Sequence, residues 1–195
     1  MTMIPLWIKV SYTLFVLLTA AVYTVKYGLG NFLWFSDIAL LAAVPALWFE
    51  SSLIASMMAI GILLPELFWN VTYFGRLLTG KRLAGLTDYM FDAQLPLSLR
   101  ALSLFHVFLP MLLLWMIARL GYANNAWIAQ TALAWIVLPL TYLLTDPEKN
   151  INWVHGPGTK AQKRLAPLVY LGLLMIGFSV LVYLPTHLLL QVLFR

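Results

Sequence analysis

The sequence predicts an all-α, polytopic integral membrane protein with six transmembrane helices and an interfacial helix in the third loop. Of its 195 residues, 63% are hydrophobic and 10% are charged, whereas about 25% is usual for charged residues in soluble domains. Six apolar runs are also long enough to cross a hydrocarbon core about 30 Å thick. The 12 basic and 7 acidic side chains are too few to cover a water-soluble domain of this size.

The six apolar runs follow one another with short gaps and form a single transmembrane domain over residues 1–195. Their approximate ranges are 4–25, 31–49, 52–70, 96–120, 125–145 and 167–194. The first run lacks the basic start and the cleavage pattern of a signal peptide, so we expect it to remain in the mature protein. In the third gap, residues 74–91 mix leucines with charged residues, which favours a helix lying in the membrane interface over another crossing.

The basic residues are distributed unevenly between the two sides of this predicted bundle. Nine of the 12 lie in or beside the first, third and fifth gaps: Lys26, Arg76, Lys81, Arg82, Arg100, Lys149, Lys160, Lys163 and Arg164. The other side carries Lys9, Arg119 and Arg195. Because basic loops are retained in the cytoplasm, we predict a multi-pass protein of the inner membrane with both termini on the outer, periplasmic side.

The charge pattern also indicates which partners to expect. The formal net charge of +5 suits the anionic headgroups of membrane lipids. The basic residues form no continuous stripe, so nucleic acid is excluded as a partner. Other membrane subunits, or further copies of the same chain, are possible partners for the apolar faces.

Each of the second to sixth predicted helices contains one proline beyond its first turn. These residues are Pro45, Pro65, Pro110, Pro139 and Pro185. A proline removes a backbone donor and frees the carbonyl four residues earlier, which for Pro110 is the carbonyl of His106. Two interpretations are open: neighbouring groups satisfy the freed carbonyls at simple kinks, or the kinks open an internal cavity.

Three of the ionisable side chains within the apolar runs are the strongest candidates for function, because a charge in a transmembrane segment costs about 2.5 to 3.5 kcal/mol. Asp37, Glu66 and His106 occupy the second, third and fourth predicted helices, with His106 about 15 Å from its helix end at 1.5 Å per residue. We predict that these residues are catalytic, with His106 as acid or base, Asp37 orienting it or accepting a proton, and Glu66 assisting. The predicted substrate-binding residues are Ser103, Arg100, Asn70, Asn152 and His155.

The two acidic side chains also have purely structural interpretations. Asp37 can form a salt bridge with Arg100 or Lys26 that fixes helix packing. Glu66 and Asn70 lie close to the predicted end of the third helix, and a solvated helix end accounts for both of them. In either case the carboxylate would stabilise the fold without taking part in chemistry.

The histidines have similar alternatives. His106 can be a neutral side chain bonded to a freed carbonyl or to Ser103. His155 lies in the fifth loop, where contact with solvent or lipid headgroups is the simpler interpretation. His187 lies near the outer end of the last helix, remote from the other predicted site residues, and we leave it out of the site.

No sequence motif indicates which cofactor, if any, the protein binds. It contains no cysteine, and the HExxH, GxSxG, Walker A and GxGxxG patterns are absent. Imidazole and carboxylate groups can bind zinc or iron. Asp37, Glu66 and His106 nevertheless come from three different helices without a compact motif, so we predict no metal site.

Two resemblances to known families bear on these residues. The segments 31–37, 86–92 and 150–158 resemble those of bacterial multi-pass membrane proteins that have no assigned activity. The second is a poor resemblance to the hydrolase superfamily of alkaline ceramidases and adiponectin receptors, which holds zinc with a Ser-x-x-x-His helix, an Asp and a late His-x-x-x-His. Ser103 and His106 are one residue closer than that pattern, and His187 is followed by Gln191 instead of a second histidine, so its zinc site is not carried over.

Three functions remain open at this stage. The first is a membrane-embedded enzyme acting on a lipid or isoprenoid substrate that enters from the cytoplasmic leaflet. The second is a small proton-coupled transporter in which the same groups line a pathway. The third is a non-catalytic accessory subunit of a larger membrane complex. The polar groups clustered in the cytoplasmic half of the bundle favour the enzyme.

Overall fold

The protein is predominantly helical, at 77%, in a computed structural model that describes residues 3–158 and 160–194. No β-strand occurs within those ranges, which confirms the all-α prediction. In the same ranges, five helical segments are long and apolar enough to cross a membrane: Leu6–Tyr27, Ser52–Thr79, Leu97–Leu120, Ala126–Leu144 and Pro167–Leu193. The helix Phe35–Trp48 is equally apolar but has only 14 residues.

The α-helices are numbered in chain order. They are α1 (Leu6–Tyr27), α2 (Phe35–Trp48), α3 (Ser52–Thr79), α4 (Leu97–Leu102), α5 (Phe105–Leu120), α6 (Ala126–Leu144), α7 (Pro167–Gly177) and α8 (Leu184–Leu193). Short 3-10 helices occur at Leu29–Leu33, Gly85–Phe91 and Ile151–Trp153. A π-helical segment, Phe178–Tyr183, joins α7 to α8 just before Pro185, which cannot donate a backbone hydrogen bond.

Three helices differ from their predicted bounds. The second, α2, begins at Phe35 instead of residue 31, which places Asp37 in its first turn. The third helix, α3, does not end near residue 70 but continues to Thr79, where Gly80 adopts a left-handed conformation (φ 69°) and its N–H bonds to the Arg76 carbonyl. The fourth is interrupted, because α4 ends at Leu102 and α5 begins at Phe105. These changes place Glu66 in the interior of α3 and His106 in the first turn of α5.

Of the predicted interfacial helix over residues 74–91, the first six residues belong to α3 and Gly85–Phe91 forms a 3-10 helix. Asp88 in this segment pairs with Arg76 of α3 at 2.6 Å and also with Arg82. The Arg76 guanidinium lies 4.4 Å from the centre of the Phe91 ring, within cation–π range. These contacts fix the third loop against the end of α3, while its position in a membrane interface stays a prediction.

The helix α3 is central, since it contacts α2, α5 and α6. Small side chains on α2 and α3 allow their backbones to approach closely. The alanines that are completely buried on these two helices are Ala39, Ala43, Ala46, Ala55 and Ala59. This packing holds α3, which carries Glu66, against α2, and α3 in turn contacts α5, which carries His106.

An ion pair connects the start of α1 to the turn between α2 and α3. The Glu50 carboxylate accepts hydrogen bonds from the Lys9 ammonium at 2.8 Å and from the backbone N–H groups of Met3 and Ile4 at 2.9 and 3.2 Å. The Lys9 side chain is almost fully buried, with 6% of its surface exposed. Glu50 is thus the counterion that makes burial of Lys9 tolerable.

We expect the substitution Glu50→Gln to destabilise the protein in a pH-dependent way. The hydrogen bond from Lys9, followed by that from Met3, lowers the pKa of the Glu50 carboxyl from 4.5 to about 2. A lowered carboxyl pKa stabilises the folded state above pH 4.5, and this stabilisation is lost as the pH falls toward 2. In detergent at pH 7, the thermal unfolding midpoint of Glu50→Gln should be lower than that of the wild type. Near pH 2 the two midpoints should lie closer together.

The matched control for this prediction is Glu148→Gln. Glu148 is exposed, and no ion pair involves it among the described residues. It should unfold like the wild-type protein across the same pH range. If Glu50→Gln and Glu148→Gln gave the same midpoints at pH 7, the stabilising role of the Glu50 carboxylate would be wrong.

Candidate functional site

Glu66 and His106 form a direct pair between α3 and α5. The two carboxylate oxygens of Glu66 lie 2.9 and 2.8 Å from Nδ1 of His106. Only 4% of the Glu66 side chain and 14% of the His106 side chain are exposed. The expectation of a solvated helix end is therefore wrong for Glu66, because its carboxylate is buried and satisfied by the imidazole.

The pairing determines which ring nitrogen is available. An ionised carboxylate can only accept hydrogen bonds, so beside an ionised Glu66 the Nδ1 of His106 carries a proton and donates it. The hydrogen bonds among the described residues use Nδ1 of this ring and leave Nε2 free. A carboxylate on Nδ1 and a free Nε2 is the arrangement in which histidine acts as a general base or acid.

Aromatic side chains surround the His106 ring. The Trp69 indole stacks on it with ring centres 4.7 Å apart and an interplanar angle of 25°. Phe105 lies on it at 4.1 Å, and Tyr73 stacks on Trp69 at 5.0 Å. These rings limit rotation of the imidazole, and their faces stabilise its positive charge when it takes up a proton.

Asn70 connects the same two helices through backbone groups. Its side-chain amide donates to the carbonyl of Glu66 and to that of His106, both at 2.8 Å. The His106 carbonyl is the one that Pro110 frees in α5. At this position a neighbouring side chain replaces the missing backbone bond, which is the simple-kink interpretation of the prolines.

Ser103 lies at the break between α4 and α5, next to two tyrosines. Its hydroxyl is 2.9 Å from the Tyr23 hydroxyl of α1. The Tyr89 hydroxyl approaches Ser103 and Trp69 from the third loop, and burial raises the pKa of Tyr89 above the usual tyrosine range. Because that loop is fixed to α3, the tyrosine covers the polar cluster and contributes a hydroxyl that stays protonated.

Asp37 lies in the first turn of α2 with 3% of its surface exposed. One of its oxygens accepts from the Asn31 amide at 3.1 Å, and the other, Oδ1, is buried without a hydrogen-bond partner among the described residues. No ion pair of those residues includes Asp37. The alternative of a salt bridge to Arg100 or Lys26 is therefore wrong: Arg100 donates to the Met90 carbonyl and Lys26 is exposed.

The two predicted site residues of the fifth loop lie against other parts of the chain. Asn152 donates to the Leu33 carbonyl at 2.7 Å and accepts from the Phe35 N–H at 3.1 Å, which holds the start of α2 two residues before Asp37. His155 packs against Tyr142 of α6 at 4.8 Å. Asn152 thus positions the helix that carries Asp37, while His155 makes no contact with the Glu66–His106 pair.

A second histidine pair, between α8 and the loop after α5, was not expected from the sequence. The Tyr122 hydroxyl lies 2.5 Å from Nδ1 of His187, and the Trp127 ring stacks on His187 at 6.1 Å. Burial raises the pKa of Tyr122 to about 12, so its phenol keeps its proton and donates to Nδ1.

Nothing in known proteins identifies this arrangement. No family model, curated protein or solved structure matches the chain. The resemblance of its three segments to bacterial multi-pass membrane proteins stays a hypothesis. Within the described parts of the chain, no three His, Cys, Asp or Glu side chains converge on a possible metal position.

Proposed function

We propose that the protein is a membrane-embedded enzyme that acts on a lipid or isoprenoid substrate entering from the cytoplasmic leaflet. The observation that carries this proposal is the buried contact between the Glu66 carboxylate and Nδ1 of His106. A carboxylate buried in an apolar helix bundle is costly. Here the Glu66 carboxylate fixes one tautomer of His106 and leaves the other ring nitrogen free. Proton transfer requires this arrangement, whereas helix packing does not.

Each polar group has a role in this proposal. His106 takes a proton from the substrate, or returns one, at Nε2, and Glu66 stabilises the imidazolium that forms. The bonded pair of Tyr23 and Ser103 hydroxyls leaves one O–H as a neutral donor for a substrate oxygen that becomes negative. Asp37, whose Oδ1 has no partner, orients a donor group of the substrate or accepts its proton.

We also propose that α2 is a sixth crossing and that both termini lie on the periplasmic side of the inner membrane. The turn that follows α2 meets the start of α1 through the ion pair between Lys9 and Glu50, at 2.8 Å. Later in α1 and earlier in α2, the Tyr12 hydroxyl donates to the Leu40 carbonyl at 2.9 Å. The two helices thus run antiparallel, and the excess of basic residues in the first, third and fifth loops supports the orientation.

Lipid analysis of cells that express the protein tests the enzymatic role. Wild-type protein should change the abundance of at least one lipid or isoprenoid class, and Glu66→Gln or His106→Gln should reduce that change at least 100-fold, the size typical of a lost general base. The matched control is His187→Gln, which makes the same substitution outside the site and should retain the effect. Equal lipid profiles for the wild type and both site variants, at equal protein levels, would contradict the proposal.

A proton-coupled transporter is the second candidate, favoured by buried polar groups beyond the site. Gln130 of α6 and Tyr183 of the π-helical segment are 1% and 0% exposed, and the Gln130 Oε1 and Tyr183 hydroxyl have no hydrogen-bond partners among the described residues. Such groups can hold water within a pathway. A proton flux in proteoliposomes that Gln130→Leu abolished would favour transport over catalysis.

A further inference from the structure

The fifth loop contains a strained segment. Asn150, Asn152 and Trp153 have positive φ angles of 42°, 51° and 61°. Positive φ is uncommon for residues other than glycine, and each such residue costs about 1 to 3 kcal/mol. Strained backbone of this kind persists only where surrounding contacts enforce it, and it is concentrated at functional sites.

Asn150 supplies the contacts that enforce this conformation. With 2% of its surface exposed, it donates to the carbonyls of Gly156 and Gly158, both at 2.8 Å, and accepts from the N–H of His155 at 2.9 Å. The His155 carbonyl accepts from the N–H of Gln162 at 2.8 Å. The backbone N–H and carbonyl of His155 are therefore both held by hydrogen bonds.

His155 lines a cavity of about 110 Å³ together with Tyr142, Gln162 and Tyr170. Its Nε2 is shielded from solvent and has no hydrogen-bond partner among the described residues. The Gln162 side chain is already bonded to backbone groups of Arg164 and Leu165, and the Tyr170 hydroxyl donates to the Trp153 carbonyl. The imidazole thus lines the cavity with an Nε2 that no protein group satisfies, and a turn of the ring would present this nitrogen to a ligand.

Basic side chains follow this cavity in the sequence. Lys160, Lys163 and Arg164 are exposed, and none of them takes part in an ion pair of the described residues. Burial lowers the pKa of His155, which the nearby Asp146 opposes, so the free ring is neutral at pH 7. A neutral imidazole with cationic side chains close by in the chain matches an anion that accepts hydrogen bonds.

We propose that this cavity binds the phosphate group of an anionic membrane lipid, held by the His155 imidazole and by Lys160 and Lys163. One water occupies about 30 Å³ of liquid, so the cavity has room for a group of phosphate size. Lipids with an additional ammonium group fit less well, because the basic side chains repel that charge. The site is separate from the Glu66–His106 pair and does not depend on the proposed enzymatic activity.

Thermal unfolding of the purified full chain in detergent tests this site with three probes: phosphatidylglycerol, phosphatidylcholine, and inorganic phosphate at matched ionic strength. Phosphatidylglycerol should raise the unfolding midpoint by several degrees, and the other two should leave it unchanged. The surface variant Lys160→Gln/Lys163→Gln and the cavity variant His155→Gln should each lose most of this shift. The control Lys26→Gln/Lys81→Gln removes two exposed charges elsewhere on the same predicted side, one at the end of α1 and one after α3, and should keep the shift.

Each other outcome overturns the proposal. An equal shift with inorganic phosphate would replace the lipid by a free anion. An equal shift with phosphatidylcholine would remove the preference for negative charge. A full shift in Lys160→Gln/Lys163→Gln, or an equal loss in the control pair, would show that the lipid binds elsewhere on the protein.

Discussion

Replacing His106 by leucine should reduce the free energy of unfolding by about 3 kcal/mol, because a buried charged group that loses its hydrogen-bond partner costs at least as much as a neutral one. The substitution leaves the Glu66 carboxylate, 3% exposed, without the donor that satisfies it. The double variant Glu66→Leu/His106→Leu should recover much of this loss, because two apolar side chains leave no buried charge. Thermal or denaturant unfolding in detergent of these two variants and of Glu66→Leu alone completes a double-mutant cycle.

The matched control for this cycle is His187→Leu in the second histidine pair. That substitution leaves only the neutral Tyr122 hydroxyl without its partner, and an unsatisfied neutral group costs about 1 to 3 kcal/mol. The loss should therefore be smaller than for His106→Leu. If the Glu66 and His106 substitutions were simply additive, the two side chains would not be coupled and the pair would lose its role in the site.

Asn150→Ala should produce the second large effect, a loss of about 3 kcal/mol at roughly 1 kcal/mol for each of three hydrogen bonds. Alanine is also strained at φ 42°, whereas glycine adopts that conformation freely. Asn150→Gly should therefore be about 1 kcal/mol more stable than Asn150→Ala. Thermal unfolding measures the loss, and faster trypsin cleavage at Lys160 and Lys163 reports opening of the loop.

Asn125→Ala is the control for Asn150→Ala. Asn125 is exposed at the start of α6, and its side chain makes no capping hydrogen bond. It should change neither the unfolding midpoint nor the cleavage rate. Asn150→Ala with wild-type cleavage and stability would show that the strained loop is maintained by other contacts.

Hydropathy was sufficient to predict the helices but not their ends. A length of about 20 residues is set by the membrane, whereas α3 ends where Gly80 takes up a positive φ. The interruption at Ser103 and Leu104 lies within an apolar run, so no change of composition marks it. For the same reason the depth predicted for His106 was measured from a helix start that belongs to α4 and not to α5.

The candidate site was partly accessible from sequence. The cost of burying charge singled out Glu66 and His106, and the missing donor of Pro110 pointed to the His106 carbonyl, which Asn70 satisfies. The surrounding hydroxyls of Tyr23 and Tyr89 were missed because tyrosines at helix ends are usually interfacial anchors. Their approach to Ser103 depends on how α1 and the third loop pack, which no local pattern encodes.

Nitrogen NMR of the imidazole rings shows directly whether Glu66 holds the Nδ1–H of His106 and leaves Nε2 free. The chain has three histidines, so each signal can be assigned by its substitution with glutamine. We predict a proton on Nδ1 of His106 and the opposite tautomer, with a proton on Nε2, for His187, whose Nδ1 accepts from Tyr122. Glu66→Gln should shift the His106 signals alone. A His106 ring without a proton on Nδ1, or one unaffected by Glu66→Gln, would contradict the account.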